Sequence, residues 1–149
     1  MKNYIICDID GTLANVDHRQ MYAQIGEWDR FHEDCHLDIP YGDMINIIKL
    51  ITLHPSIGII GLTGRPEKMR SITMNWLSNQ GLMFDHLFMR PNDDYSKDLD
   101  LKISALEEFF QSKMGVLNSV LCVFDDRDKL VEGLRNYGLT VLQPRLGTY

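Results

Sequence analysis

The chain has 149 residues, 44% of them hydrophobic, and a net charge of −6. This size and composition predict one globular domain with a substantial core. The acidic balance argues against a protein that coats nucleic acid non-specifically, because such binding requires lysines and arginines to neutralise phosphates. It leaves open a single phosphate bound in a locally basic pocket.

Membrane insertion and secretion are not expected. No uninterrupted apolar run approaches the length that spans a bilayer, and aspartates interrupt the short apolar run that follows Lys2. Three cysteines, an odd number without paired spacing, predict reduced thiols and a cytoplasmic protein.

Short apolar runs alternate with amphipathic segments along the chain. The apolar runs predict five strands, at Tyr4–Cys7, Ile57–Leu62, Leu87–Met89, Val120–Phe124 and Leu139–Leu142. The amphipathic segments predict four helices, at Tyr41–Leu53, Pro66–Asn79, Leu99–Lys113 and Asp128–Tyr137. This alternation predicts a three-layer α/β fold, in which helices cover both faces of a mostly parallel five-stranded sheet.

One polar segment, Asn15–Pro40, departs from this alternation. It is rich in His and Asp, contains Trp28 and Phe31, and leaves the chain after the first strand. We interpret it as a small cap insertion over the sheet, covering about residues 15–40. Residues 1–149 are therefore expected to form a single domain.

Reactive side chains follow three of the predicted strands. The first strand ends at Asp8-Ile9-Asp10-Gly11-Thr12, the second at Thr63-Gly64-Arg65 and the fourth at Asp125-Asp126. Each group alone could be a turn or a helix cap. Ligands of parallel sheets bind beyond the carboxyl ends of the strands, so the shared position favours one functional site. Lys102 lies near the start of a predicted helix, at a position that fits the same edge of the sheet.

These motifs resemble those of the haloacid dehalogenase (HAD) superfamily. The resemblance covers DIDGT after an apolar strand, the Thr of LTGR, Lys102 and the DD pair, in the expected order over nearly the whole chain. It implies a Rossmann-like sheet in which the Ile57 and Val120 strands flank the first strand.

A narrower resemblance concerns the 3'-phosphatase domain of phage-type polynucleotide kinase–phosphatases. It is carried by Arg19, by Arg65 and by the MRPNDDYSKDLDLK stretch before the lysine. A G-x-x-x-x-G-K-[ST] loop is absent, so a kinase half is not expected in these residues.

The resemblance implies a phosphatase, a Mg2+-dependent phosphomonoester hydrolase that works through an aspartyl-phosphate intermediate and removes 3'-phosphates from polynucleotide ends. The expected substrate is a phosphorylated nucleic-acid end or a nucleotide, and no stable protein partner is predictable. Asp8 is the predicted nucleophile and Asp10 the general acid and base. Thr63 would donate to a phosphoryl oxygen, and Lys102 would offset the charge of the phosphoryl group.

The same resemblance implies binding residues. Arg19 and Arg65 have planar forks suited to phosphate oxygens, and the backbone N–H of Gly64 would lie beside them. The implied Mg2+ ligands are Asp8, the backbone carbonyl of Asp10, Asp125 and, directly or through water, Asp126. Trp28 and Phe31 either stack on a base or form a small core under the cap.

Other functions remain open. A nucleotidase or another small-molecule phosphatase would use the same residues. A non-catalytic phosphate-binding domain would not need both Asp8 and Asp10, and a receiver domain has its phosphorylated Asp after a later strand.

The stretch HEDCH, His32–His36, fits the H-E-x-x-H pattern of zinc metalloproteases. The segment is short, ends before Pro40 and has no evident third ligand, since His54 and His86 are isolated. The zinc metalloprotease is therefore kept as a remote alternative, and His32 and His36 are expected to be cap residues.

Overall fold

The computed structural model describes residues 2–148. Five parallel strands form one sheet in the order β5-β4-β1-β6-β7. Their bounds are β1 Asn3–Cys7, β4 Ile57–Pro66, β5 His86–Arg90, β6 Val120–Phe124 and β7 Val141–Leu142. The predicted fold class is confirmed, and β1 lies between the Ile57 and Val120 strands as expected.

Helices cover both faces of the sheet. Their bounds are α1 Gln20–Gln24, α2 Trp28–Glu33, α3 Gly42–Thr52, α4 Arg70–Asn79, α5 Asp98–Phe110, α6 Lys113–Ser119 and α7 Asp128–Tyr137. Within residues 2–148, no helix combines the length and apolarity needed to cross a membrane.

Two hydrophobic clusters hold the layers together, one on each face. Successive side chains of a strand point to opposite faces, so Ile5 and Cys7 join the cluster with α3 and α4, whereas Ile6 joins the cluster with α5 and α7. Ile6 and Ile60 are fully buried, and each contributes about 1.5–3 kcal/mol through burial. The central strands are thereby fixed, and with them the loops at their carboxyl ends.

The cap insertion is closed at its base by a small antiparallel pair. Ala14–Asn15 (β2) pairs with Ile39–Pro40 (β3). Between these strands lie α1, α2 and two short 3-10 turns, at 17–19 and 34–37. The chain therefore enters the cap and returns from it at neighbouring points near the carboxyl end of β1.

The predicted start of the second helix at Pro66 is wrong. Strand β4 continues to Pro66, whose φ of −70° and ψ of 152° are extended, and α4 begins at Arg70. Proline fixes φ near −65°, a value common to helices and to extended backbone, so its presence could not distinguish the two.

The predicted helix Leu99–Lys113 is also interrupted. Helix α5 ends at Phe110 because Gln111 adopts a left-handed conformation with φ of 66°. The Ser112 hydroxyl then accepts a hydrogen bond from the Gly115 N–H and starts α6. The sequence signal for this additional helix is the serine, a favoured N-cap residue.

Candidate active site

The loop after β1 points two carboxylates into one cavity. The N–H groups of Thr12, Leu13 and Ala14 all lie within 3.2 Å of the carbonyl oxygen of Ile9, which folds the chain back. Ile9 itself is fully buried. Asp8 and Asp10, on either side of it, line a cavity of about 1230 Å³.

Lys102 brings together carboxylates from two strands. Its Nζ lies 3.1 Å from Oδ1 of Asp8 and 2.7 Å from Oδ2 of Asp125. All three side chains are buried. Burial opposes the charge of Lys102, but attraction by Asp125 and Asp8 outweighs it and raises the pKa of the lysine. The ammonium therefore stays protonated between the two carboxylates.

A third carboxylate completes a cluster suited to a cation. Oxygen atoms of Asp8, Asp125 and Asp126 lie within 4.8 Å of one another, and no other such group of three is found among residues 2–148. Burial raises the pKa of Asp8 well above its usual range; Lys102 opposes this shift, and Asp125 adds to it. Two of the three carboxylates, those of Asp8 and Asp125, contact the Lys102 ammonium, and an all-oxygen donor set of this kind fits Mg2+.

The C-terminal segment supports the Asp125-Asp126 turn, a feature not predicted from the sequence. Gln143 donates to the carbonyl oxygen of Asp126 at 2.8 Å, and the carbonyl oxygen of Gly147 accepts from the Asp128 N–H at 2.8 Å. A Cβ atom on Gly147 would lie 2.6 Å from the same Asp126 oxygen, so only glycine allows this close approach.

Asp10 is held by the two arginines that were predicted to bind phosphate. Its Oδ1 accepts from Nη2 of Arg19 at 2.7 Å and from Nε and Nη2 of Arg65 at 2.9 and 2.6 Å. Burial acts to raise the pKa of Asp10, but attraction by Arg65 and Arg19 lowers it to about 2. Asp10 is thus ionised at neutral pH, and the two guanidinium groups are already engaged by carboxylates.

Asp38 is a further member of this network that sequence reasoning missed. Its carboxylate accepts from Arg19 at 2.7 Å and from Arg65 at 2.9 Å, and its backbone oxygen accepts from Trp76 Nε1 at 2.9 Å. Two fully buried arginines require more negative charge than Asp10 alone supplies. That requirement becomes visible only once both arginines are known to be buried.

Thr63 and Gly64 lie on β4 and line the same cavity as Asp8 and Lys102. The Thr63 hydroxyl oxygen accepts from the Arg65 N–H at 3.2 Å, and Thr63 is buried. The structure therefore brings the groups predicted for phosphoryl contacts to the carboxylates.

Asp98 is a second acidic residue that the sequence analysis did not single out. It lies in the first turn of α5, forms ion pairs with Arg90 and Arg127, and lines the cavity. Burial acts to raise its pKa, but attraction by Arg127 and Arg90 lowers it. The available signal was the spacing from Asp98 to Lys102, which places both on one face of a helix.

The HEDCH stretch does not form a zinc-protease helix. Helix α2 ends at Glu33, and a 3-10 turn follows in which His36 Nδ1 lies 2.8 Å from the Glu33 carbonyl oxygen. His32 packs against Trp28 and Phe31 instead. The geometry that the H-E-x-x-H pattern needs, two histidines one turn apart on a continuous helix, is missing.

Comparison with known proteins gives the same assignment as the motifs. Residues 2–149 match the family model of the phosphatase domain of the polynucleotide kinase PNKP. A protein of Autographa californica nuclear polyhedrosis virus, named as a candidate bifunctional polynucleotide kinase/RNA ligase, is 33% identical over 132 residues. That match covers 85% of this chain but 17% of the viral protein.

Solved structures share the fold. A chain of the Pnkp1/Rnl/Hen1 complex superimposes with a TM-score of 0.84 at 26% identity, over 100% of this chain and 47% of that one. A haloacid dehalogenase-like hydrolase from Streptococcus pneumoniae has a TM-score of 0.66 at 14% identity, over 95% of this chain and 84% of that one. This chain thus spans less than half of the Pnkp1/Rnl/Hen1 chain that it matches, and the second likeness concerns the fold alone. The chain belongs to the family of PNKP phosphatase domains and is a phosphatase with a HAD-like fold.

Proposed function

We propose that residues 1–149 act as a single HAD-like phosphatase domain that uses Mg2+ to remove 3'-phosphates from polynucleotide ends. The observation that carries this proposal is the meeting of Asp8, Lys102 and Asp125 at the carboxyl ends of β1 and β6, with Asp10 in the same cavity. Two similarities support the choice of polynucleotide ends: the viral relative is named for a polynucleotide kinase and RNA ligase, and the family model that matches is that of the phosphatase domain of a polynucleotide kinase.

In the first step, a carboxylate oxygen of Asp8 attacks phosphorus. A bond from this oxygen to phosphorus forms, and the bond from phosphorus to the 3' oxygen breaks. Lys102, the Thr63 hydroxyl and the Gly64 N–H contact the phosphoryl oxygens. When bound by Asp8, the Asp10 carbonyl, Asp125 and Asp126, Mg2+ supplies positive charge beside the phosphoryl group.

Asp10 is the proposed general acid and general base. It donates to the departing 3' oxygen in the first step and accepts a proton from the attacking water in the second, which regenerates Asp8. With a pKa of about 2 in the free protein, Asp10 is ionised and able to accept a proton, but it is a weak base. Like-charge repulsion by the incoming phosphoryl group raises that pKa, which strengthens Asp10 as a base and lets it take up from solvent the proton that it then donates to the 3' oxygen.

Arg19 and Arg65 have two proposed roles. One is the predicted binding of substrate oxygens, and the other, suggested by their contacts with Asp10, is orientation of that carboxylate. Arg65→Lys separates the roles: loss of substrate binding raises KM, whereas a misplaced Asp10 lowers kcat.

The test is a substrate panel assayed with Mg2+. It comprises a 3'-phosphorylated oligonucleotide, a 3'- and a 5'-mononucleotide, and p-nitrophenyl phosphate. We expect phosphate release to be most efficient from the oligonucleotide and to disappear with EDTA or in Asp8→Asn. Preference for the mononucleotides would instead support the nucleotidase alternative. Equal activity of Asp8→Asn would remove Asp8 as the nucleophile.

The partners named in the similar solved structures suggest a context for this activity. In those structures Rnl and Hen1 form one complex with Pnkp1. We propose that this chain works together with a protein that joins RNA ends, because the name of the viral relative includes an RNA ligase. Co-purification with such a protein would support this partnership. Failure to co-purify would contradict the partnership but not the proposed phosphatase activity.

A further inference from the structure

Two exposed aromatic side chains lie in the cavity beyond the catalytic carboxylates. Trp28, on α2 of the cap, is 56% exposed, and Tyr95, in the loop between β5 and α5, is 90% exposed. Both line the cavity that contains Asp8. Exposed aromatic faces beside a phosphate site are surfaces on which nucleobases can stack.

The Trp28 ring is held in place without being covered. The Phe31 ring meets it edge-on at 5.7 Å between centroids, and His32 lies nearly parallel to it at 6.4 Å. Phe31 itself is half-buried, with the Arg19 guanidinium 4.3 Å from its centroid. Phe31 therefore serves as support under the cap, while Trp28 retains an accessible, pre-oriented face.

Lys68 connects the two segments that carry the aromatic residues. Its Nζ lies 2.6 Å from Oδ1 of Asp29, the residue after Trp28. Its backbone N–H donates to Oδ1 of Asn92 at 3.0 Å, in the same loop as Tyr95. The cap and this loop are thus tied to one point after β4, which brings both aromatic segments to the mouth of the cavity.

Charge at this mouth does not favour binding along a phosphodiester backbone. The acidic residues that line the cavity outnumber the basic ones, and the acidic set is Asp8, Asp10, Glu27, Asp29, Asp93, Asp94 and Asp98. Each basic residue there has an acidic partner, the pairs being Arg30–Glu27, Lys68–Asp29, Arg90–Asp98, Lys102–Asp8 and Arg127–Asp98. Affinity for an extended strand must therefore come mainly from contacts other than salt bridges.

We propose that Trp28 and Tyr95 form a base-stacking site for the last nucleotides of a single-stranded 3'-phosphorylated end, with little contact to the internal phosphodiesters. This inference rests on the proposed function and specifies its substrate. It predicts recognition that tolerates any base, because every base has a stacking face, and that requires only a short single strand.

The test compares a 3'-phosphorylated oligonucleotide with the same oligonucleotide lacking bases at its last two positions. We expect the KM of the wild-type protein to be about 5- to 150-fold higher for each stacked base that the substrate lacks, the range that base–aromatic stacking supports. In Trp28→Ala and Tyr95→Ala this ratio falls towards one, whereas Trp28→Phe retains most of it. Met83→Ala, which removes an 86% exposed side chain away from the cavity, is the matched control and keeps the wild-type ratio.

Salt dependence and fluorescence provide two further readouts. Few phosphodiester contacts predict that log KM for the intact oligonucleotide changes with log salt by a slope of about one or less. In Asp8→Asn, which prevents turnover, an unphosphorylated single strand should quench the fluorescence of exposed Trp28, since Trp76 is buried. Tyr95→Ala in the Asp8→Asn background should weaken this quenching.

Different outcomes reject different claims. Equal KM values for intact and abasic substrates, together with no quenching, would overturn the stacking site. A steep dependence of log KM on log salt, together with an unchanged ratio of abasic to intact KM in Trp28→Ala and Tyr95→Ala, would show that the protein binds along the phosphodiester backbone instead. If no substrate of the panel, including p-nitrophenyl phosphate, releases phosphate with Mg2+, the proposed function fails, and the quenching experiment still decides whether bases bind.

Discussion

Two buried charge networks reach the same cavity, one through Asp8 and Lys102 and the other through Asp10, and they differ in composition. The sheet-edge cluster, Asp8, Lys102, Asp125 and Asp126, brings three carboxylates together, and the Lys102 ammonium contacts those of Asp8 and Asp125. The cap network, Asp10, Arg19, Asp38 and Arg65, has two carboxylates and two guanidinium groups. Burial raises the pKa of Asp8, whereas the arginines lower that of Asp10 to about 2.

The difference teaches what each network is suited to do. In the sheet-edge cluster, carboxylate oxygens of Asp8, Asp125 and Asp126 lie within 4.8 Å of one another, an all-oxygen donor set that suits a divalent cation. The cap network is complete by itself and joins the cap to the sheet, because Asp38 and Arg19 belong to the cap and Arg65 to β4. Loss of one partner from a balanced buried network leaves an unpaired charge. We therefore expect variants of the sheet-edge cluster to affect catalysis and variants of the cap network to affect stability as well.

The largest effect is expected for Asp8→Asn. An amide cannot act as the nucleophile, so kcat should fall on the order of 10⁴-fold or more. The same change removes one of three crowded carboxylates, so the metal-free protein should not lose stability. Phosphate release and urea unfolding measure the two effects. Loss of both activity and stability would contradict the contrast between the networks.

Asp38→Ala tests the cap network. It removes the carboxylate shared by Arg19 and Arg65 and should cost about 3–5 kcal/mol in the free energy of unfolding. Urea denaturation measures this, and Asp38→Asn should restore part of the loss. Asp43→Ala is the matched control, because the exposed pair Asp43–Arg145 should contribute little. A small effect of Asp38→Ala would mean that the arginines find other partners.

Acid should weaken the cap network before the sheet-edge cluster. The pKa of Asp10 falls from 3.8 to about 2 on folding. Its stabilisation, about 2.5 kcal/mol, is therefore present above pH 4 and lost as the pH falls towards 2. The raised pKa of Asp8 acts with the opposite sign, so its protonation on acidification favours the folded state. Urea unfolding of the wild type, Asp10→Asn and Asp8→Asn between pH 6 and pH 2 measures how the free energy of unfolding depends on pH. Relative to the wild type, we expect the two variants to change the slope of this dependence in opposite directions.

The smallest effect is expected for Gly147→Ala. A Cβ there would lie 2.6 Å from the Asp126 carbonyl oxygen, so the Asp125-Asp126 turn must shift. We expect Mg2+ affinity to fall about 10-fold, the lower end of what outer-shell changes cost. The rise in Tm with added Mg2+ measures the affinity independently of turnover. Gly42→Ala, with open space around its Cβ, should behave as wild type.

Local patterns sufficed for the central strands and the residues at their ends. The apolar run before Asp8 and the run before Asp125 predict buried parallel strands, and such strands present their carboxyl ends at one edge. That reasoning places Asp8, Asp10, Asp125 and Lys102 near one another from the sequence alone. Helix boundaries were less predictable, because Pro66 and Gln111 each occupy a backbone conformation that their residue types do not require.

By itself, the sequence determined the α/β architecture and the acidic edge of its sheet, since the spacing of apolar residues and the residues that follow each strand are local properties of the chain. Only the tertiary structure decided that Arg19 and Arg65 face Asp10 and Asp38, that Gly147 packs against Asp126, and that Trp28 stays exposed while Phe31 is half-buried. Those outcomes depend on which charges and rings share a low-dielectric interior. These contacts are determined by packing between segments that are distant in the chain, and local sequence patterns do not predict that packing.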